Sequence, residues 1–319
     1  MPQYLARRIG LYIPTLLLAS IAIFGIMRAL PGDVALVILG GQESGSSGLE
    51  QLEDLRQELG LKDPLPVQYG KWIWTMVNGE FGGRSVLDRE PLSAIIARRL
   101  PVTLQIALYT IVISWLLAIP LGVLAAVYQN KWADYAIRVS SLVGHALPNF
   151  WMALVLLLIM LIVFRWTPPV FYADLWEDPV SHMQKALWPS LVLAWGFSSY
   201  LVRVTRSNLL EVLRQDYVRT ARAKGLMEQV VIMRHALRNA LIPVVTLGGL
   251  QVGALLGGTV ILETIFSLPG IGQGIVLSAT ERDYPVVQSL TMFLVFVQVT
   301  LNLLVDLSYA FIDPRISYR

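Results

Sequence analysis

LPVTLQIALYTIVISWLLAIPLGVLAAVYQN, residues 100–130, contains no Asp, Glu, Lys or Arg and decides the class of fold. A run of about 17–25 such residues is long enough to cross a lipid bilayer as a helix. The sequence contains six charge-free windows of about this length. A water-soluble protein could bury one or two such helices, but hardly six. The sequence therefore predicts an all-α integral membrane protein with six transmembrane helices. The charge-free windows are residues 9–27, 100–130, 139–164, 186–202, 239–262 and 284–305.

The composition supports this class and excludes several others. Of the 319 residues, 55% are hydrophobic and 15% are charged, whereas soluble domains have about 45–50% and about 25%. Disordered, collagen-like and disulfide-rich secreted chains are excluded. The absence of cysteine also excludes disulfides, thiolate metal sites and cysteine nucleophiles. The first window follows Arg7 and Arg8 with no small-residue cleavage site behind it, which predicts a retained helix and no signal peptide.

The placement of the basic residues predicts the topology. Residues 203–238 hold eight basic residues against three acidic ones, and short basic loops remain in the cytoplasm. The basic residues form four regions: the N-terminus, the turn after the second window, residues 203–238 and the C-terminal tail. Six spans with both termini in the cytoplasm place all four regions on the cytoplasmic side. Arg98 and Arg99 then lie outside in the long segment 31–99, but long loops translocate largely regardless of charge. The other cytoplasmic basic residues are Arg7, Arg8, Lys131, Arg138, Arg315 and Arg319.

Residues 31–99 form the largest predicted non-membrane segment. A Gly/Ser-rich linker covers 40–48, and leucines at helical spacing over 49–59 predict a helix that ends at Gly60. Trp72 and Trp74 predict a short interfacial helix, and Pro91 could start another helix through Leu100. With no chemical constellation, the segment reads as a small cap or interfacial layer.

The basic segment between the fourth and fifth windows is the main cytoplasmic feature. Residues 216–225 predict a helix that ends at Gly225, where a left-handed backbone costs least. A second short helix then repeats apolar positions, namely Leu226, Val230, Met233 and Leu237. Two functions of this helix–turn–helix are about equally supported by the pattern: contact with lipid and docking of a cytoplasmic partner. Nothing supports a third, a nucleic-acid-binding module. The small residues at 221, 223 and 225 favour docking, because another backbone can approach them closely.

Glycines also form a stripe in the fifth window. Gly249, Gly253 and Gly257 lie four residues apart and predict close helix packing. The packing could occur within the chain, at a dimer seam or at a moving interface. Residues 266–274 resemble a phosphate loop only superficially and predict a turn on the outer side.

Enzyme and carrier chemistry is missing from the sequence. There is no Walker A loop, and the three histidines lack metal-ligand spacing. His145 is predicted to be packed or hydrogen-bonded, and Asp306 to serve as a cap or to pair two helices. No catalytic, cofactor-binding or metal-binding residue is predicted. The remaining interpretation is a passive conduit with a basic docking loop, for which another protein supplies the energy.

The chain resembles the permease subunits of ABC importers, in particular the dipeptide/oligopeptide/nickel branch. The resemblance covers essentially the whole chain, and the ordered set of motifs is specific. The motifs are YLARR (4–8), PGD (31–33), ELGL (58–61), QY (68–69), TARAKGL (220–226), HALRNALIP (235–243), FSLPGIG (266–272), RDYP (282–285) and DPR (313–315).

The resemblance implies a type I importer permease fold and a set of partners. It implies a second, usually non-identical permease, two cytoplasmic ATPases that bind ATP and Mg, and an extracytoplasmic solute-binding protein in a prokaryotic inner membrane. The general coupling motif begins Glu-Ala-Ala, whereas residues 219–221 are Arg-Thr-Ala, so no salt bridge from that Glu is carried over. The implied coupling residues are Arg219, Thr220, Ala221, Arg222, Ala223, Lys224, Gly225, Leu226 and His235.

These implications divide the chain into three parts. Residues 1–30 carry the first span, residues 31–99 are extracytoplasmic, and residues 100–319 are the permease core with spans two to six and the coupling loop 206–239. The function implied is half of a translocation pathway for peptides or a similar solute, coupled to the ATPases through residues 216–239. An ion-gradient-driven carrier and a membrane scaffold are the alternatives. Substrate-binding residues and the solute itself stay undetermined among dipeptides, oligopeptides, nickel chelates, glutathione and oligosaccharides.

Overall fold

A computed structural model describes residues 2–29, 56 and 62–312. Within these residues the regular structure is helical, apart from an isolated bridge between Arg84 and Pro91. The predicted linker 40–48, the helix over 49–59 apart from residue 56, Gly60, and the motifs at 31–33, 58–61 and 313–315 lie outside the described residues. The helices are α1 (Pro2–Ala29), α2 (Leu65–Val77), α3 (Leu92–Val127), α4 (Trp132–Ala146), α5 (Asn149–Phe164), α6 (Pro179–Val212), α7 (Asp216–Ala223), α8 (Glu228–Ile265), α9 (Ile271–Thr280) and α10 (Tyr284–Ile312).

Local sequence signals explain where several of these helices begin. The Asp178 carboxylate accepts hydrogen bonds from the Val180 and Ser181 amides, both at 3.1 Å, and Pro179 occupies the first helical position of α6. Such caps satisfy donors that the first turn leaves unpaired, and proline there has no N–H to satisfy. The Ser181 hydroxyl also donates to this carboxylate, and this bond, with the two amide bonds, holds the pKa of Asp178 below its usual range. Helix α2 begins after Pro64, without a side-chain cap and with a second proline in its first turn. It confirms the predicted short helix at Trp72 and Trp74, and its interfacial position stays a prediction.

The chain forms two compact units. Unit 1 contains residues 1–102 and 269–319, and unit 2 contains residues 103–268. Residues 269–312 therefore pack with the N-terminal part of the chain, although they belong to the predicted core 100–319. The division into 1–30, 31–99 and 100–319 stays a prediction.

In unit 1, α1 packs against α10 through polar contacts as well as apolar ones. The Arg8 guanidinium lies 3.0 Å from the Asp306 carboxylate, and the hydroxyls of Tyr12 and Thr300 are 2.8 Å apart. The predicted helix-pairing role of Asp306 is thereby confirmed. An apolar cluster that includes Leu92 joins the start of α3 to α9 and α10.

The two arginines that conflict with the charge rule are both engaged within unit 1. Arg98 makes a bidentate pair with Glu90 at 2.9 and 3.0 Å, and Arg99 donates to the Gly270 carbonyl at 3.2 Å. Both stand on α3, which runs on without a break from Leu92 to Val127. The helix predicted to start after Pro91 is therefore the beginning of this long helix and does not end at Leu100.

In unit 2, α6 is the central helix and packs against α4, α5 and α8. Fourteen of its 34 residues are buried. Leu193 and Leu209 are fully buried. A Cβ added at Gly122 of α3 would lie 2.5 Å from the Thr205 side chain. Small residues thus allow the backbones of α3 and α6 to approach closely.

The third window, residues 139–164, is not one straight span. Helices α4 and α5 meet at an angle of 108°. Leu147 and Pro148, which join them, have extended ψ angles of 134° and 136°. Proline pushes the preceding residue out of the helical region and has no N–H to continue the ladder. Pro148 therefore explains the bend that the hydrophobic run alone concealed.

The described helices include four that are long and apolar enough to cross a membrane, or five when α4 and α5 are counted as one span. These four are α1, α3, α8 and α10. The window 186–202 is helical, within α6, but α6 is not apolar enough to be one of the candidate spans. The regular structure of the described residues is therefore helical, with four to five candidate apolar spans. The predicted turn over 266–274 is also shorter than expected, since α9 begins at Ile271.

Candidate docking segment and polar cavity

The predicted coupling residues lie on α7 and the turn that joins it to α8. One face of α7 is buried: Val218 is fully buried and Ala221 is 8% exposed. Both pack in a cluster with Leu209 of α6 and Val231 of α8. Because both neighbouring helices share this cluster, α7 is held as part of unit 2 and is not a free loop.

The opposite face of α7 is exposed and basic. Arg219, Thr220, Ala223 and Lys224 are all exposed. The small side chain of Ala221 thus lets α7 approach the helices of its own chain, whereas Ala223 presents a small side chain outward. Leu226 and Met227 add apolar area, at 40% and 71% exposure. The surface available to a partner is this mixed basic and apolar face.

Gly225 ends this segment as predicted. Its φ is +77°, and its N–H donates to the Arg222 carbonyl at 2.9 Å. A Cβ added there would meet nothing within 4 Å. The requirement for glycine is therefore one of backbone conformation and not of space, because residues with a side chain adopt positive φ at a cost.

Two polar contacts span the turn after α7. Arg222 donates to the two Glu228 carboxylate oxygens at 2.7 and 3.1 Å, and this carboxylate raises the pKa of Arg222. The Tyr217 hydroxyl accepts from the Asn239 amide at 2.8 Å and donates weakly to the His235 carbonyl at 3.5 Å. His235 therefore contributes its backbone to the segment.

The sequence predicted a short, separate helix after Gly225, and this prediction was wrong. The helix runs from Glu228 to Ile265 and includes a π-helical stretch over Val231–Ala236. Val231 and Ile232 are buried, whereas Met233, a predicted apolar-face position, is 60% exposed. Leu237 is buried as predicted, so the 3.6-residue period failed at Met233, where the π-helical stretch changes the face that a residue occupies.

The glycine stripe of α8 divides into different environments. Gly253 is buried and Gly249 is half-buried. Nothing lies within 4 Å of a Cβ added at Gly257. The tightest contact belongs to their neighbour Gly248, where an added Cβ would lie 2.5 Å from the Trp115 ring. Packing within the chain thus uses Gly248, and Gly257 faces open space in unit 2.

A buried charge pair anchors α4 to α6, and no local pattern was sufficient to predict it. Asp134 is fully buried, and its oxygens accept bonds from Arg206 Nε and Nη2, both at 2.7 Å. The Asn130 amide donates to the same carboxylate at 2.9 Å. Asp134 lies just before the third window and is a lone acid in a basic region. That isolation was the available hint, but only folding brings Arg206 to it.

A polar cavity of about 350 Å³ lies at the bend between α4 and α5 in unit 2. Its lining includes His145, Asn149, Tyr200 and Gln251. His145 is exposed and not packed, so that prediction was wrong. The Gln251 Oε1 atom is buried without a hydrogen-bond donor among the described residues. A ligand with N–H groups could satisfy this oxygen.

Gly196 makes room for part of this lining. A Cβ added there would lie 2.8 Å from the Asn149 Oδ1 atom. The two amide side chains and the phenol supply both donors and acceptors without a fixed charge. Within the described residues, no group of three or more His, Cys, Asp or Glu side chains could hold a metal ion.

Comparison with known proteins places these features in one family. Residues 118–318 match the family described as binding-protein-dependent transport system inner membrane component, and residues 1–107 match its N-terminal family. The chain is 40% identical over 323 residues to an oligopeptide transport system permease protein of Bacillus subtilis, covering 100% of both chains. It is 38% identical over 319 residues to a glutathione transport system permease protein of Salmonella paratyphi A, again covering 100% of both. The chain therefore belongs to the family of inner membrane permease components of binding-protein-dependent transport systems.

Proposed function

We propose that this chain forms half of the translocation pathway of an ATP-driven importer for peptides. The observation that carries this proposal is the double-faced helix α7, whose inner face is buried against α6 and α8 while its outer face is exposed and basic. A helix held in this way can transmit the movement of a docked ATPase to both membrane helices as a rigid lever.

The partners follow from the membership of the family and from this exposed face. Two cytoplasmic ATPases that bind ATP and Mg would contact α7, and an extracytoplasmic binding protein would deliver the solute. A second, non-identical permease would complete the pathway, and the open environment of Gly257 on α8 offers a surface for it. The chain itself supplies no catalytic group in this scheme.

We also propose the six-span arrangement with both termini in the cytoplasm. Helix α6 would be the remaining span, and its burial supports this. Between residues 186 and 202 the only exposed residue is Trp195, so this part of α6 presents little surface to lipid and can carry more polar residues. Neighbouring elements satisfy some of them: Tyr109 bonds His182 at 3.0 Å, and the Lys185 ammonium donates to the Val170 carbonyl at 2.7 Å.

The solute class is inferred from the relatives and from the cavity at the α4–α5 bend. A peptide carries amide N–H and C=O groups, which the side-chain amides of Asn149 and Gln251 can bind. Two related permeases are named for oligopeptides and for glutathione, which supports a peptide solute.

Reconstitution of the complete importer in liposomes tests the docking role. Ala223→Asp places an acid on the outer face of α7, and we expect it to abolish solute-stimulated ATP hydrolysis and transport. Ala279→Asp, an exposed alanine on α9, is the matched control and should leave both activities unchanged. Normal transport by Ala223→Asp would overturn the docking role.

A second arm separates the alternatives. Transport by this chain alone, driven by a proton or sodium gradient, would establish the carrier. A stable complex without solute-stimulated ATPase activity would establish the scaffold. For the solute site, Gln251→Ala should raise the half-saturating solute concentration, with Gln129→Ala as the exposed control.

A further inference from the structure

Unit 1 contains an apolar groove that none of the proposed transport steps uses. It has a volume of about 360 Å³ and is lined by α1, α2 and α10. Its walls include Ile13 and Leu17 of α1, Val77 of α2 and Phe296 of α10. Leu17, Val77 and Phe296 are 53%, 75% and 43% exposed. The walls are almost entirely apolar, so the groove suits a hydrocarbon chain and not a hydrated solute.

A second cavity, of about 230 Å³, lies farther along α1 and α2, and its lining includes polar and charged side chains. Arg28 from the last turn of α1 and Lys71 from α2 both line it. Within the described part of the chain, the recorded contact of Arg28 is a cation–π contact with the Phe24 ring at 5.3 Å. The Lys71 ammonium donates to the Asp63 carboxylate at 2.6 Å. The Arg28 charge has no such carboxylate partner among the described residues.

Trp72 supplies a hydrogen-bond donor to the same cavity. It lines the cavity, and its Nε1 atom is buried without an acceptor among the described residues. A buried indole N–H without an acceptor is costly, and an anionic oxygen would satisfy it. Two cations and this N–H form a constellation that suits a phosphate group.

The spacing of the two cavities matches a lipid that lies along α1. At 1.5 Å per residue, the axial distance from Ile13 to Arg28 is about 22 Å. Half of a bilayer, including its headgroup region, is about 20–22 Å thick. An acyl chain in the groove would therefore place its phosphate near Arg28. The aromatic cluster of Phe24, Tyr69 and Trp72 lies between the two ends, at the level where tryptophan and tyrosine favour the interface.

We propose that unit 1 binds one phospholipid, with an acyl chain in the α1–α2–α10 groove and its phosphate between Arg28 and Lys71. The lipid would act as a structural ligand that ties α2 to the two membrane helices. Its retention is measured without transport, so failure of this proposal and failure of the importer function are distinguishable.

Native mass spectrometry of the importer complex, extracted in detergent from membranes that contain phosphatidylglycerol, tests the proposal. We expect one phospholipid retained per copy of this chain. Arg28→Gln should weaken retention roughly fivefold, the effect of one cation at an anionic surface. Asp63→Asn should strengthen retention, because it frees Lys71. Lys131→Gln, an exposed lysine that lines neither cavity, is the control.

A second set of variants tests the groove. Leu17→Trp should fill it and displace the lipid, whereas Leu116→Trp, at an exposed position of α3, should not. Inorganic phosphate at millimolar concentration should not replace the lipid, because it lacks the acyl chain. The proposal is overturned if the wild-type complex retains no lipid, if Arg28→Gln retains it as well as wild type, or if phosphate alone displaces it. A monodisperse elution profile of each variant confirms that the complex is intact.

Discussion

Two arginine–carboxylate pairs of unit 2 use the same chemistry in opposite environments. Arg206 binds a fully buried Asp134 through two bonds of 2.7 Å, and the Arg206 side chain is 18% exposed. Arg222 binds Glu228 with similar geometry, but their side chains are 40% and 56% exposed. Burial makes the first pair a fixed joint between α4 and α6. Exposure leaves the second pair free to rearrange, as the proposed docking on α7 would require.

Breaking the buried pair should have the largest effect. Asp134→Leu leaves the Arg206 charge uncompensated in the α4–α6 contact, and we expect a loss of about 3–5 kcal/mol of unfolding free energy. Denaturation of the purified chain in mixed detergent micelles measures it. Replacing both partners, with Asp134→Leu and Arg206→Met, should recover most of the loss. Equal stability of wild type and Asp134→Leu would show that the pair is not a structural joint.

Replacing an alanine by the larger leucine should have different effects on the two faces of α7. Ala221→Leu forces a larger side chain into the cluster around Leu209, at a cost of about 1–3 kcal/mol. Ala223→Leu, on the outer face, should change the unfolding free energy by less than about 0.5 kcal/mol but reduce ATPase stimulation. Thermal unfolding and ATPase assays on the same preparations measure both. A reversed order of stability would contradict the assignment of the two faces.

The turn after α7 should depend on backbone conformation alone. Gly225→Ala keeps the available space but forces a side-chain-bearing residue to a φ of +77°, at about 1–2 kcal/mol. We expect a smaller number of solute molecules transported per ATP hydrolysed. Gly70→Ala, in α2, also meets open space but has ordinary helical φ, so it should be neutral or slightly stabilising. Equal coupling in both variants would remove the turn from the mechanism.

The exposed pair should contribute least to stability. Arg222→Gln should change the unfolding free energy by at most about 1 kcal/mol, and salt should diminish the difference because the pair is solvent-screened. Unfolding at low and at high ionic strength measures this. A loss as large as that of Asp134→Leu would mean that the two pairs share one role.

Much of the fold followed from the apolar windows, and the exceptions have particular causes. The helix end at Gly225, the short helix α2 and the pairing role of Asp306 were predictable from local signals. The bend at Pro148 was missed because the window was judged by its lack of charge and not by its proline. Helix α6 was placed correctly as a helix, yet the sequence could not show that burial compensates for its polar side chains.

The candidate site divides in the same way. The helix of the proposed docking segment was predictable, because a basic helix with a glycine end is a local pattern. The partition of α7 into an inner Ala221 face and an outer Ala223 face was not, since both residues are small and only the neighbouring helices distinguish them. The cavity near Gln251 and the groove beside Leu17 also required the structure, because their walls come from segments far apart in sequence.

The sequence by itself determined the membrane class, the family and the basic helix that we propose as the docking segment. These depend on composition, charge and short-range order along the chain, which folding does not change. The tertiary structure decided which charges are buried joints, which glycines pack, and where cavities open. Such properties depend on the distance between residues such as Asp134 and Arg206, 72 positions apart, and on the water that their packing excludes.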